Sequence, residues 1–325
     1  LIMFLLSFFL RYLKNIITPN VSGTTVMLLG VTLVFTTLQN LVREFDSAGG
    51  FKGTGFEIII LSGVVLATTI LISRSSVVWL RVGGITFGLT LGFGISLLFN
   101  ASDLSGLRTQ EVYFIPEIGR YPLSIDFQVV AIVLPIFLVS TMESIGDLTA
   151  TNSLSGQKTG DKAYWLRLRG GIAACATNSF VASLFSTFPN TTFSQNNGVI
   201  RLTGVCSRHV GLYAALFLII FGCIPVVANL FQTIPPAVIY GSTILMFGLV
   251  AVSGYKIVVE SLPKGRDWML VGLACVLAYL TVFFIDSVPG LPKTFVSVLS
   301  FPVSTGALLA MFFEIVIPKK AKKDC

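Results

Sequence analysis

Charge is what this sequence has least of. Only 11% of its 325 residues are Asp, Glu, Lys or Arg, 54% are hydrophobic and the mean hydropathy is +0.87. A soluble domain carries about 25% charged residues, so that class is excluded. Histidine is nearly absent: His209 stands alone beside Arg208, which reads as an interfacial position rather than a proton relay. The five cysteines (Cys175, Cys206, Cys223, Cys275, Cys325) have no metal-ligand spacing and sit mostly in apolar runs, so they read as small packing residues; no metal or organic cofactor is expected. Neither a Gly-rich phosphate loop nor a Ser/His/Asp or Cys/His set occurs, which argues against an enzyme.

What is abundant is apolar sequence. Runs long enough to cross about 30 Å of hydrocarbon fall near 21–42, 56–72, 77–99, 127–147, 170–188, 210–230, 236–258, 268–284 and 295–317, with a tenth, shorter one at 195–206. The chain is therefore expected to be a multi-pass membrane protein with the lipid bilayer as its partner. Leu1 to Leu10 is apolar from the first residue and lacks the basic start and cleavage site of a signal peptide, so the chain is expected to begin inside a span. Alternating the spans backward from a cytoplasmic Lys-rich end leaves only Arg43, Lys52, Arg108, Arg120 and Lys293 of the 22 basic residues outside. That bias supports a cytoplasmic C-terminus. It also accounts for the net charge of +7 without a nucleic-acid partner.

An internal repeat is suggested by small residues. Gly23 and Gly30 match Gly241 and Gly248 in spacing, with Thr25 opposite Thr243, and an odd number of crossings separates the two segments. Inverted repeats of this kind are typical of secondary transporters, which hold substrate near the midplane where helices break.

Two polar stretches stand at membrane depth. In the first, Gln195, Asn196 and Asn197 lie side by side within TTFSQNNGVIRLTG. The preceding TFPNTTFS contains a proline and β-branched threonines that favour extended backbone. The twelve residues after Ser194 reach only about 18 Å as a helix. A short strand followed by a half-helix starting at Ser194 or Gln195 is expected, its free N–H groups facing a cavity. Amides offer both donors and acceptors, which suits a planar ligand edged with N–H and C=O groups, such as a nucleobase. Phe193 is placed to stack on a flat ligand. In the second stretch, STMESIGDLTATNSLSG, Glu143 and Asp147 are four residues apart on one helix face. Carboxylates are costly near a bilayer centre and face a cavity or a partner. Glu143 can accept two ligand N–H bonds and link proton uptake to ligand binding, whereas Asp147 serves coupling or ties helix to helix. Glu57 and Glu314, near span ends, are expected to snorkel.

QNNGVIRLTG, with Gln195, Asn196, Gly198, Thr203 and Gly204, resembles the signature of the nucleobase/ascorbate transporter family. MESIGDLTAT, ILMFGLVAVSG and FPVSTGALLAMFFEIVIP are similar to its acidic segment and later spans, and the likeness covers essentially the whole chain. The resemblance implies an all-α membrane protein built as an inverted seven-plus-seven transmembrane repeat, of which this chain has the last ten to eleven of fourteen helices. It implies an incomplete core domain (1–19 and 127–230) and a gate domain (20–126 and 231–325), with dimers through the gate. By the same resemblance Glu143 and Gln195 bind the base, Asn196 supports them, and Asp147 serves structure or proton coupling. Asn197, Gly198, Thr203 and Gly204 complete the motif. Gln at 195 points to the bacterial xanthine/uric acid branch. The implied activity is purine import by proton symport, the proton being the coupling ion, at the bacterial inner membrane. The alternatives are a uracil permease of the same fold, a sulfate-permease-like anion transporter, and an intramembrane enzyme using Glu143 and Asp147 as an acid/base pair. Two departures from the family stand out: Cys175 where many purine members have an acid, and Glu314 where many bacterial members have Asn.

Overall fold

The computed structural model describes residues 3–4, 7–8, 18–50, 54–98, 118–120, 126–158, 161–193, 195–260, 265–285, 296 and 299–317. Among these, twelve helices follow one another and no strand occurs. They are α1 (Pro19–Ser47), α2 (Gly55–Ser73), α3 (Val78–Val82), α4 (Gly84–Leu98), α5 (Phe127–Leu154), α6 (Lys162–Leu184), α7 (Gln195–Thr203), α8 (Arg208–Gly222), α9 (Pro225–Gln232), α10 (Pro236–Glu260), α11 (Gly265–Phe284) and α12 (Pro302–Val316).

Four described helices are long and apolar enough to cross a membrane: Asn20–Ser47, Gly55–Ser73, Pro236–Val259 and Gly265–Phe284. α8 and α9 add a fifth crossing if they count as one span, although they meet at 86°. The chain is a multi-pass membrane protein. Several expected spans are shorter than the hydropathy runs that suggested them. The run at 77–99 is parted at Gly83 into α3 and the 15-residue α4, and the run at 295–317 contributes the 15-residue α12. Fifteen residues rise only about 22 Å, less than the hydrocarbon thickness.

The chain divides into two compact units, Leu1–Thr32 with Ile118–Asn197 and Val250–Cys325, and Leu33–Glu117 with Gly198–Leu249. In the first unit the start of α1 crosses the end of α10 almost backbone to backbone. A Cβ on Gly30 would lie 2.2 Å from the Ala251 nitrogen, and one on Gly254 would lie 2.2 Å from the Met27 nitrogen. Small residues permit such approach, which is what packs helices when lipid removes the hydrophobic drive between them. Of the partner positions in the suspected repeat, Gly241 is as tight, a Cβ there lying 2.4 Å from the Ser62 carbonyl oxygen, whereas one on Gly248 would meet no described atom within 4 Å.

Two apolar clusters fill this unit. Tyr164, Leu168, Ile172 and Ala176 of α6 pack on Phe137, Ile145 and Leu148 of α5. Val21, Met142, Ala274, Ala307 and Ala310 bring α1, α5, α11 and α12 together around Met142, which is fully buried. In the second unit α2 packs on α4 and on the start of α10, where Leu61 and Val65 meet Ala237 and Val238 and the Ser62 hydroxyl donates to the Ala237 carbonyl at 2.7 Å.

Candidate functional site

α5 carries the acidic stretch. The turn spacing of an α-helix puts Glu143 and Asp147 on one face, and the structure leaves Glu143 half-buried and Asp147 buried at 8% exposure. Met142 and Ser144, on either side of Glu143, are fully buried. The acidic face is thus held by neighbours that cannot turn to solvent.

The amide stretch opens α7. Gln195 is the first residue of that nine-residue helix, and its side chain lies outside the described residues. Upstream, 187–193 forms neither helix nor strand, so the expected strand is replaced by an irregular segment tied down by hydroxyls. Three successive residues anchor it. The Asn190 N–H donates to Ser179 Oγ at 3.1 Å, while that hydroxyl donates to the Asn190 carbonyl at 3.0 Å. Ser140 Oγ donates to Thr191 Oγ1 at 3.0 Å. Thr192 Oγ1 lies 2.7 Å from Asp147 Oδ2 and donates to it. At Asn190 a hydroxyl of α6 takes the place of ladder bonds and satisfies the backbone, while at Thr191 and Thr192 side chain meets side chain of α5 and holds the stretch in place.

Asn197 completes the link. Its Nδ2 donates to the Asp147 carbonyl at 3.2 Å and its Oδ1 accepts from Thr151 Oγ1 at 2.6 Å. An amide is the side chain suited to this pair of partners, one acceptor and one donor. The amide stretch therefore grips Asp147 of the acidic stretch twice, Thr192 at its carboxylate and Asn197 at its carbonyl. Asn196 is exposed, with its N–H on the Phe193 carbonyl at 3.0 Å, and Phe193 is 49% exposed. At the far end of α7, Thr203 Oγ1 donates to the Val199 carbonyl at 2.9 Å and accepts from the Val205 N–H at 3.3 Å. Gly204 follows at φ +69°, the left-handed turn that ends a helix and that glycine adopts without strain. Thr203 and Gly204 thus terminate α7, and Gly198 lies within it.

Sequence reasoning missed Thr151 and Thr192. Their only signal was position: Thr151 is one turn beyond Asp147 on α5, and Thr192 follows the proline that breaks the chain. Thr151 also lines a cleft of about 230 Å³ with Asn152, Tyr164 and Arg167. There Arg167 Nε donates to Asn152 Oδ1 at 2.9 Å and Asn152 Nδ2 donates to the Gln157 and Lys158 carbonyls at 3.2 Å, closing the α5–α6 turn. No group of three or more potential metal ligands occurs among the described residues.

A model of the permease family matches residues 1–287 of this chain. The chain belongs to the nucleobase/ascorbate transporter family. Among curated members of this family, it is 35% identical over 318 residues to xanthine permease XanQ of Escherichia coli K12, a match covering 96% of this chain and 67% of that protein. Xanthine permease XanP of the same strain is 33% identical over 310 residues, covering 95% of this chain and 67% of its own length. XanP of Shigella flexneri matches at the same level. These nucleobase/ascorbate transporter relatives are permeases, in keeping with a transport rather than an enzymatic role.

Proposed function

We propose that this protein transports a purine base, xanthine or uric acid, inward across the bacterial inner membrane by proton symport. The observation that carries the reading is the joining of two polar motifs at Asp147, by Thr192 from one side and Asn197 from the other, within a chain similar to two xanthine permeases. In this reading Glu143 and Gln195 hold the polar edges of the base, Asn196 supports them and Phe193 stacks on its face. Asp147 ties the acidic helix to the amide segment and takes part in coupling. Core (1–19 and 127–230) moves against gate (20–126 and 231–325) within a fourteen-helix inverted repeat, the protein dimerises through the gate, and the C-terminus is cytoplasmic.

The energetics allow it. One charge crossing 100 mV yields about 2.3 kcal/mol, roughly a fiftyfold gradient at about 1.4 kcal/mol per decade. The test is initial uptake of labelled xanthine with and without a protonophore, beside Glu143→Gln. Saturable uptake that the protonophore abolishes is expected, and Glu143→Gln is expected to bind xanthine without a gradient yet fail to accumulate it. Uptake insensitive to both treatments would overturn proton coupling, and absence of any xanthine uptake or binding would overturn the substrate.

A further inference from the structure

Glu314 does not snorkel. Its side chain is 1% exposed, and it is the last member of a buried stripe on α12 that runs Ala307, Ala310, Glu314 at helical spacing. The first two members share a buried apolar cluster with Met142, the residue before Glu143. The third meets Arg266, from the first turn of α11, with Nη2 at 3.4 Å from Oε2. Arg266 does more than balance that charge. Its Nε donates to the Ile317 carbonyl at 3.0 Å and its Nη2 also reaches the Ile317 and Glu314 carbonyls. Its Nη1 donates to Asp267 Oδ1 at 3.2 Å. One guanidinium, itself 16% exposed, thus satisfies carbonyls at the end of α12 that the helix leaves without partners, and does so from a neighbouring helix.

A buried ion pair is a weak source of stability, because desolvation cancels most of the attraction, and an apolar residue at the end of the stripe would pack as well. What the pair adds is register. Carbonyl contacts at two residues, together with a carboxylate contact, fix where along α11 the end of α12 can sit, and a slip of one turn would move the stripe by about 5.4 Å.

We propose that Arg266 and Glu314 are positioning residues for the purine site. They lock α12 on α11 within the gate, so that in this conformation Ala307 and Ala310 present a fixed face to the cluster that holds Met142, and through Met142 they set where Glu143 of the core stands. This inference rests on the reading of Glu143 as a base-binding residue.

The test is equilibrium binding of labelled xanthine to the purified protein in detergent, with the thermal midpoint measured on the same samples. Glu314→Gln and Arg266→Gln are expected to weaken xanthine binding about tenfold or more, in line with the sensitivity of polar sites to small misplacements. Glu314→Asp, which keeps the charge, is expected to recover most of the affinity. The paired substitution Arg266→Gln with Glu314→Leu removes both charges while leaving a side-chain N–H for the α12 carbonyls, so it is expected to hold its thermal midpoint and still bind weakly. That split is the signature of positioning, and it remains readable if either single variant fails to fold. Wild-type affinity in the paired variant, or in a folded Glu314→Gln, would overturn the proposal. A wild-type protein that binds no xanthine would instead sink the purine reading on which it stands, a result visible before any variant is made.

Discussion

At the scale of single residues, Thr192 is the sharpest point in the molecule. Its hydroxyl donates to a carboxylate that is 8% exposed, and hydrogen bonds to charged groups contribute about 1.5–3 kcal/mol. Thr192→Val, nearly isosteric, removes this donor, and xanthine uptake is expected to fall about ten- to a hundredfold at unchanged membrane abundance. Thr192→Ser should retain it, and equal uptake by both variants would show that the bond is idle. Asn197 is held to its identity more tightly than its neighbour Asn196, because one amide both gives to the Asp147 carbonyl and takes from Thr151. The sequence displays Asp147, Asn196 and Asn197 plainly, since polar residues between apolar runs are conspicuous. It does not display which of them meet. Threonines are common in membrane helices and bond readily to their own turn, as Thr149 and Thr151 do here to the Ile145 and Asp147 carbonyls, so their further cross-links carry no local signal.

Among the helices, close backbone contact separates what small-residue spacing treats alike. Gly30 and Gly248 share a repeat position in the sequence, yet only Gly30 faces backbone at a distance no side chain tolerates. Gly30→Ala is expected to prise α1 from α10 and lower the thermal midpoint and folded yield markedly, while Gly248→Ala is expected to be neutral within about 0.5 kcal/mol. Fluorescence-detected gel filtration after a heating series distinguishes the two, and equal losses would mean that the crossing is not the constraint. The same limit applies to length. Hydropathy locates α1, α2, α10 and α11 well because their apolar runs are unbroken, but it is blind to Gly83 dividing α3 from α4, and to hydroxyls replacing a strand at 187–193. Glu314 misleads in the opposite sense. A charge near a span end ordinarily reaches for water, and its partner Arg266 lies 48 residues away in sequence, beyond any local pattern.

For the molecule as a whole, the distribution of basic residues makes a topology that can be checked. With the C-terminus cytoplasmic, the turn between α5 and α6 is cytoplasmic too, so a cysteine placed at Lys158 should react with an impermeant maleimide only in inside-out vesicles, and one at Arg43 only in right-side-out ones. Labelling with the opposite sidedness at both sites would reverse the orientation. The 86° corner between α8 and α9 bears on the same geometry. A rod of 15 residues joined at a right angle to one of 8 cannot slide along its own axis as a piston does, because the crossbar would have to be dragged through acyl chains. If α8 stands upright, α9 is a float of about 12 Å lying flat at the lipid boundary. Its exposed Val226, Leu230 and Phe231 are then ballast that fixes how deep the upright rod can sit.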